Sequence, residues 1–272
     1  MSEQQNIETF NTAAWRLREA KRVVVFTGAG VSAESGIPTF RDDGGFWTEF
    51  PPETYATWGG IAMAAAKEPK RLAAFLHAVI APIADAEPNA AHQAIADIEQ
   101  YKTVEVITQN IDGLHQRAGS IRVHEIHGTI YEIVSADGRT RRKTLRREQL
   151  QKIAERLRSA KEGGMSLARL LAAVSRIAGI GLRGVYRPNI VLFGDALADP
   201  AWPNAMNAVE QCDCLLSVGT SGLVMPAAMI PSTARAAGAK VITIDPNEGD
   251  GDYWLRGKAG DLLPRLVQQA FH

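Results

Sequence analysis

Four short, largely apolar runs of β-forming residues punctuate the chain: Val23–Phe26, Val104–Ile107, Cys214–Val218 and Val241–Ile244. Runs of this kind, with little polar alternation, read as parallel strands buried on both faces. Each gives way at its carboxyl end to polar or glycine-rich residues, which is where open α/β sheets place their ligands. A fifth run, Ile190–Phe193, follows Pro188. Between the runs lie stretches of helical periodicity. Residues 8–20 set Ala13, Leu17 and Ala20 on one face, and residues 89–100 and 226–237 behave alike. Strands alternating with helices predict a doubly wound parallel sheet.

Two stretches break that rhythm. Residues 44–87 read as loop and then alanine-rich helix. Residues 135–187 carry two amphipathic patterns separated by Gly163-Gly164: Leu150, Ile153, Leu157 and Ala160 form one stripe, and Leu167, Leu170, Leu171, Val174 and Ile177 the other. The two stripes are expected to bury against each other.

Composition adds a local asymmetry. The 272 residues sum to a formal charge of +0, yet residues 135–187 hold 14 Lys+Arg against 4 Asp+Glu. Such a basic segment suits either a solvated face or a surface for nucleic acid or an acidic partner. With 46% hydrophobic and 22% charged residues the chain is ordinary globular material. The only cysteines, Cys212 and Cys214, are expected on one face of a strand; two thiols cannot make a four-ligand zinc site. The start of the chain is polar and acidic, unlike a signal peptide, and no apolar run approaches the roughly 20 residues that span a bilayer. A cytoplasmic protein without membrane attachment is expected.

Three motifs carry candidate chemistry. Gly28-Ala29-Gly30-Val31-Ser32-Ala33, directly after the first run, matches the G-x-G-x-x-G/A pattern whose glycines admit a pyrophosphate. Glycine turns after strands also occur without any ligand. The acidic residue expected about 20 positions later is missing. The chain instead continues as Ser35-Gly36-Ile37-Pro38-Thr39-Phe40-Arg41-Asp42, a loop that suits something other than ordinary hydride transfer. Thr108-Gln109-Asn110-Ile111-Asp112-Gly113-Leu114-His115 follows the second run; its amide and carboxylate side chains suit a carboxamide or ribose hydroxyls, and equally a helix N-cap. His127-Gly128 is the third, with His115 and His124 nearby; a lone histidine is as much at home in a structural role.

In this order and spacing, the three motifs resemble the sirtuin family of NAD-dependent protein deacylases. The resemblance continues through Pro188-Asn189-Ile190-Val191-Leu192-Phe193-Gly194-Asp195, Val218-Gly219-Thr220-Ser221 and Ile244-Asp245. It implies a Rossmann-like NAD-binding domain of residues 1–43, 88–134 and 188–272, with a smaller, mainly helical subdomain of residues 44–87 and 135–187. It also implies roles. Gly28, Ala29, Gly30, Ser32, Ala33, Phe40 and Arg41 would form the loop over NAD, and Gln109 would touch the nicotinamide-side ribose. Asn110 and Asp112 would line the nicotinamide pocket, with Asp112 holding the carboxamide, and His127 would be general base on a ribose hydroxyl. Gly219, Thr220, Ser221 and Asp245 would hold phosphates and the adenine-side ribose. Ile190, Val191, Leu192, Phe193 and Gly194 would pair with the substrate peptide, Phe193 near the acyl-lysine tunnel. The family's reaction needs no catalytic metal. Its products are nicotinamide and an O-acyl-ADP-ribose. On the same fold, mono-ADP-ribosyl transfer, NAD hydrolysis and non-enzymatic NAD or ADP-ribose sensing are alternatives.

The chain departs from the family's pattern after His127-Gly128, where typical members carry two cysteine pairs that bind a structural zinc. Here that segment has no cysteine, so no zinc ribbon is expected. The tyrosine and arginine that some members use for acidic acyl groups would fall on Leu76 and Val79, which favours acetyl or longer neutral acyl groups. Asp195 stands where glutamate is usual and Asp245 where asparagine is usual.

Overall fold

A computed structural model describes residues 3–39, 46–138, 140–162, 166–181, 184–247 and 249–272. The chain gathers into two compact units: Met1–Ser35, Glu87–Ile126 and Leu197–His272 form the first, and Gly36–Ala86 with His127–Ala196 the second. Strands and helices are numbered in chain order.

The first unit is built on a six-stranded parallel sheet. The four strands expected from the sequence are β1 (Arg22–Thr27), β2 (Thr103–Thr108), β8 (Cys214–Val218) and β9 (Lys240–Ile244). Two three-residue strands, β3 (Val123–Glu125) and β10 (Tyr253–Leu255), extend the edges and are too short to announce themselves as a periodic run. The order β10-β9-β8-β1-β2-β3 places β1 and β8 side by side where the direction of winding reverses. Such a switch point opens a crevice outside the carboxyl ends of the strands.

The apolar runs are continuous because both faces of this sheet are covered. Val23 and Val25 of β1 point into a layer with α1 (Glu3–Glu19), α6 (Ala90–Ile98) and α12 (Ala259–Phe271). Val24 and Phe26 point into the opposite layer, with α10 (Ala201–Gln211) and α11 (Ile230–Ala236). Each fully buried Val, Leu or Ile here contributes roughly 1.5–3 kcal/mol relative to exposure. The expected common face of the two cysteines is corrected: Cys212 caps the end of α10 in one layer, and Cys214 opens β8 in the other. Burial pushes both thiols up to about 12, which leaves them inert at neutral pH.

The second unit holds a four-stranded antiparallel sheet in the order β5-β4-β7-β6, formed by β4 (Gly128–Ser135), β5 (Arg141–Thr144), β6 (Gly179–Gly181) and β7 (Gly184–Ile190). Residues 128–135 and 184–190 thus belong together through the β4–β7 pairing, Gly128 opposite Ile190. Of the fifth apolar run only Ile190 lies in a strand, and that strand is antiparallel; residues 191–193 leave the sheet. Helices α2 (Phe46–Glu49), α3 (Pro52–Tyr55), α4 (Trp58–Lys67) and α5 (Pro69–Asp85) occupy the alanine-rich stretch.

The two amphipathic patterns are α8 (Arg147–Glu162) and α9 (Leu167–Val174), separated by Gly163-Gly164, which lies outside the described residues. Leu150, Ile153 and Leu157 are fully buried, as is Leu170, but Leu171 is exposed. The stripes meet only in part: α8 packs chiefly along α5, with a smaller contact to α9. Arg147 explains part of that choice, since its guanidinium donates to the carbonyls of Ala84, Asp85 and Ala86 and satisfies the end of α5.

Candidate functional site

The site begins where β1 and β8 end, each in a glycine. The N–H of Gly30 donates to the Gly219 carbonyl at 2.9 Å, and that of Gly28 to Val218 at 3.3 Å. The two turns are so close that a Cβ on Gly30 would lie 2.7 Å from Gly219 Cα, and one on Gly28 would lie 2.8 Å from Gly219 O. Gly219 itself has φ +57°, the left-handed region, and its Cβ would meet Val31 N at 2.5 Å. The result is a backbone cradle of two closely packed turns, with the Thr220 side chain beside Gly28; glycines at such a turn are what let the chain approach a pyrophosphate closely. After Gly28 the chain turns into a short 3-10 helix, Ala29–Ser35, on which Val31 and Ser32 are buried and Ala33 is exposed. Phe40 and Arg41 lie outside the described residues.

A polar network packs behind the cradle. Asn110 Nδ2 donates to the Gly28 carbonyl at 3.0 Å and to Ser32 Oγ at 3.1 Å, which commits both amide hydrogens and leaves the amide oxygen to accept. Ser32 donates to Asp112 Oδ2 at 2.8 Å, and the Leu114 N–H donates to Oδ1 at 3.0 Å. Asp112 is buried, and burial raises its pKa despite the backbone and Ser32 hydrogen bonds that oppose the rise. A desolvated carboxylate of this kind binds a carboxamide N–H far better than one in water. Gln109 Nε2 reaches across to Thr220 Oγ1 at 2.8 Å and ties the end of β2 to the turn after β8. Ser221 is exposed beyond Thr220, and Asp245 follows β9 with its Oδ1 accepting the Asn247 N–H at 2.9 Å.

Two histidines complete the first unit's network. His92 Nε2 lies 3.4 Å from Ser32 Oγ, and its Nδ1 lies 3.3 Å from Asn89 N and 3.0 Å from Asn89 Oδ1. Thr27 donates to Thr108 at 2.9 Å, and its hydroxyl oxygen lies 3.0 Å from His115 Nε2. The two rings lie side by side, with centroids 4.9 Å apart and planes tilted by 57°. Burial lowers His92 to about 4; burial, with His92 nearby, lowers His115 to about 3. His92 was not singled out from the sequence. Its only signal is position, three residues after Asn89, where it completes the capping box of α6.

These histidines make the fold acid-sensitive. Their folded pKa values lie below the unfolded value near 6.5, so between pH 6.5 and 4 the unfolded chain binds more protons. Stability is therefore full above about pH 6.5 and falls with pH by up to about 1.4 kcal/mol per unit for each histidine. Asp112, raised by burial, acts in the opposite sense and offsets part of this loss. Denaturant titrations at pH 7.5, 6 and 5 should show a falling midpoint; a flat profile would mean that the rings are not buried neutral.

His127 belongs to the second unit, immediately before β4. Its side chain is half-buried and its carbonyl accepts the Val191 N–H at 2.9 Å. Residues 190–194 leave β7 from there, with Phe193 half-exposed and its N–H bonded to the Ala56 carbonyl at 2.8 Å. The second unit has no cysteine, and the chain's two thiols are buried in the first. Among the described residues there is no group of three or more His, Cys, Asp or Glu that could hold a metal ion.

Fold and cradle together define a dinucleotide-binding α/β protein whose first βα turn departs from that of hydride-transferring enzymes. The chain belongs to the Sir2 family, whose model matches residues 28–226. It is 41% identical over 264 residues to an NAD-dependent protein deacylase of Desulfosudis oleivorans, covering 94% of each chain. It is 38% identical to NAD-dependent protein deacylase 2 of Pyrobaculum aerophilum over 93% of this chain and 92% of that one. Among solved structures it resembles a Sir2 homologue in complex with NAD, with TM-score 0.75 and 31% identity over 95% and 93% of the two chains. It also resembles Sir2Af2 bound to a myristoylated histone peptide, with TM-score 0.69 and 30% identity over 97% of each.

Proposed function

We infer that the chain is an NAD-dependent protein-lysine deacylase that releases nicotinamide and an O-acyl-ADP-ribose. The observation that carries this reading is the glycine cradle of Gly28, Gly30 and Gly219, backed by the Asn110–Ser32–Asp112 network, in a chain of the Sir2 family. NAD supplies the ribosyl carbon that parts from nicotinamide and accepts the acyl oxygen.

The cradle would take the pyrophosphate, with Ala29, Thr220 and Ser221 at its rim and Asp245 accepting from the adenine-side ribose. Asp112, an acceptor with both oxygens, would receive the carboxamide N–H and hold the nicotinamide plane; the Asn110 amide oxygen would stand beside it. Gln109 would contact the nicotinamide-side ribose. His127 would take a proton from a ribose hydroxyl as a general base. Residues 190–194 would receive the peptide. The cosubstrate-binding domain is the first unit, and the second unit holds its shape without zinc.

Leu76 and Val79, both half-buried on α5, offer no cation to an acidic acyl chain, so acetyl and longer neutral groups are the substrates proposed. The basic 135–187 segment is read as a solvated face. Arg141 pairs with Glu132, Arg158 with Glu155 and Glu162, and Arg142 lies over the Tyr186 ring. No described helix is long and apolar enough to cross a membrane, and a cytoplasmic location is proposed.

Mass spectrometry of a reaction with NAD and an acetyl-lysine peptide is expected to show O-acetyl-ADP-ribose and the deacetylated peptide. Free ADP-ribose with the peptide untouched would replace the reading with NAD hydrolysis. A peptide that gains ADP-ribose mass would replace it with transfer, and no turnover at all with sensing.

A further inference from the structure

Within the second unit, the turn after β7 is gripped by a side chain that has no part in the reaction above. Trp58 is the first residue of α4. Its position follows from Thr57, whose hydroxyl caps the helix by accepting the Gly60 N–H at 3.1 Å, and from Gly60, which lies so close to the Thr54 carbonyl that no Cβ would fit. From there the indole N–H donates to Asp195 Oδ2 at 2.9 Å, and the indole ring carries the Arg187 guanidinium 4.7 Å from its centroid.

Both partners act on the segment proposed to receive the peptide. Asp195 Oδ2 also accepts the Leu192 N–H at 3.2 Å, and the Asp195 N–H returns to the Leu192 carbonyl at 3.0 Å, which closes the turn. Arg187 donates to the carbonyls of Pro188 at 3.2 Å and Ile190 at 3.1 Å. One indole therefore links the start of the segment, at Ile190, to its end, at Asp195. Beyond these, the Phe193 N–H donates to the Ala56 carbonyl at 2.8 Å. Residues 193–196 are exposed and Gly194 has φ +94°. Segments with few buried apolar contacts and solvent-exposed hydrogen bonds open at low free-energy cost unless specifically tied.

We propose that Trp58 is a positioning residue for peptide binding: through Asp195 and Arg187 it holds residues 190–195, and the Phe193 side chain they carry, in the form that receives the acyl-lysine segment. The inference rests on the deacylase reading and on residues 190–194 as the peptide site. Its effect falls on one substrate only, because Trp58 and both its partners lie in the second unit while the glycine cradle lies in the first.

Trp58→Phe keeps a ring for Arg187 and removes the donor. It should raise the KM for an acetyl-lysine peptide about five- to tenfold, the ratio that losing one solvent-exposed hydrogen bond of about 1–1.4 kcal/mol gives. The kcat and the KM for NAD should stay within about twofold of wild type, well short of the tenfold that about 1.4 kcal/mol represents. Asp195→Ala, which also removes the acceptor of the Leu192 N–H, should raise the peptide KM at least as much as Trp58→Phe, whereas Asp195→Asn, whose amide oxygen still accepts, should stay near wild type. Amide exchange followed by NMR supplies a readout that needs no turnover: Leu192, Phe193 and Asp195 should exchange faster in Trp58→Phe and Asp195→Ala. Wild-type peptide KM together with wild-type exchange in both variants overturns the proposal. So does a KM for NAD that rises in step with that for the peptide. A wild-type protein that deacylates no peptide removes the deacylase reading instead, while exchange at residues 192–195 still decides whether Trp58 holds the turn.

Discussion

Replacing His127 by alanine is expected to lower deacylation by about two to four orders of magnitude, the range that a positioned general base contributes. NAD affinity should change little, because the pyrophosphate would rest on the main chain of Gly28, Gly30 and Gly219 and the carboxamide on Asp112. The substitution also leaves untouched the carbonyl that accepts the Val191 N–H, so the first step out of β7 keeps its main-chain bond. Binding of NAD by calorimetry and formation of O-acetyl-ADP-ribose by mass spectrometry, measured on the same sample, separate the two effects. Turnover that survives in the alanine variant would remove His127 from the chemistry. Equal loss of NAD binding would move it from proton transfer to cosubstrate binding.

Gly219→Ala should abolish NAD binding and destabilise the protein as well. Its Cβ would sit 2.5 Å from Val31 N and 2.6 Å from the Gly30 carbonyl carbon. Backbone on both sides of the cradle would have to separate, since neither atom is the end of a flexible side chain. The left-handed φ adds a cost of order 1 kcal/mol for any residue with a Cβ. Gly222→Ala is the matched control. It has a similar φ of +62° but nothing within 4 Å of the added carbon, so it should suffer only the conformational cost. A Gly219→Ala protein that melts like the control and binds NAD normally would show that the β1 and β8 turns are not the phosphate site.

The two glycines illustrate how far the sequence reaches. Gly28 and Gly30 stand out because they follow an apolar run in a spacing with a mechanical meaning. That Gly219 is pressed against them depends on β1 and β8 being neighbours, 191 residues apart in the pairing Val23 with Cys214. Likewise Asn110 and Asp112 were visible as polar residues at a strand end, in a pattern that fits a helix cap equally well. Their bonds to Ser32 and Gly28 join them to the glycine turn, and Asp112 also accepts the Leu114 N–H at the start of the next helix. His92, Thr27 and Thr108 have no sequence signal of chemistry, because a buried histidine and two strand threonines look the same whether or not they meet. The packing of α8 on α5 was missed for the same reason. An amphipathic stripe states that a helix has a partner, without saying which one.

By itself, then, the sequence determined the parallel strands of the first unit, the glycine turn that follows the first of them, the order of the motifs and the lack of thiols in the second unit. These are properties of local spacing and residue type: an apolar run long enough to be buried, a missing Cβ, a missing ligand atom. Only the tertiary structure decided which turns form the cradle, that the two buried histidines lie side by side, that residues 128–135 and 184–190 pair in a separate antiparallel sheet, and that Trp58 reaches Asp195. Each of those depends on groups far apart in the chain coming within a few ångströms. Hydrogen bonds and close backbone contacts act only over that range, and no periodicity in the sequence encodes their partners.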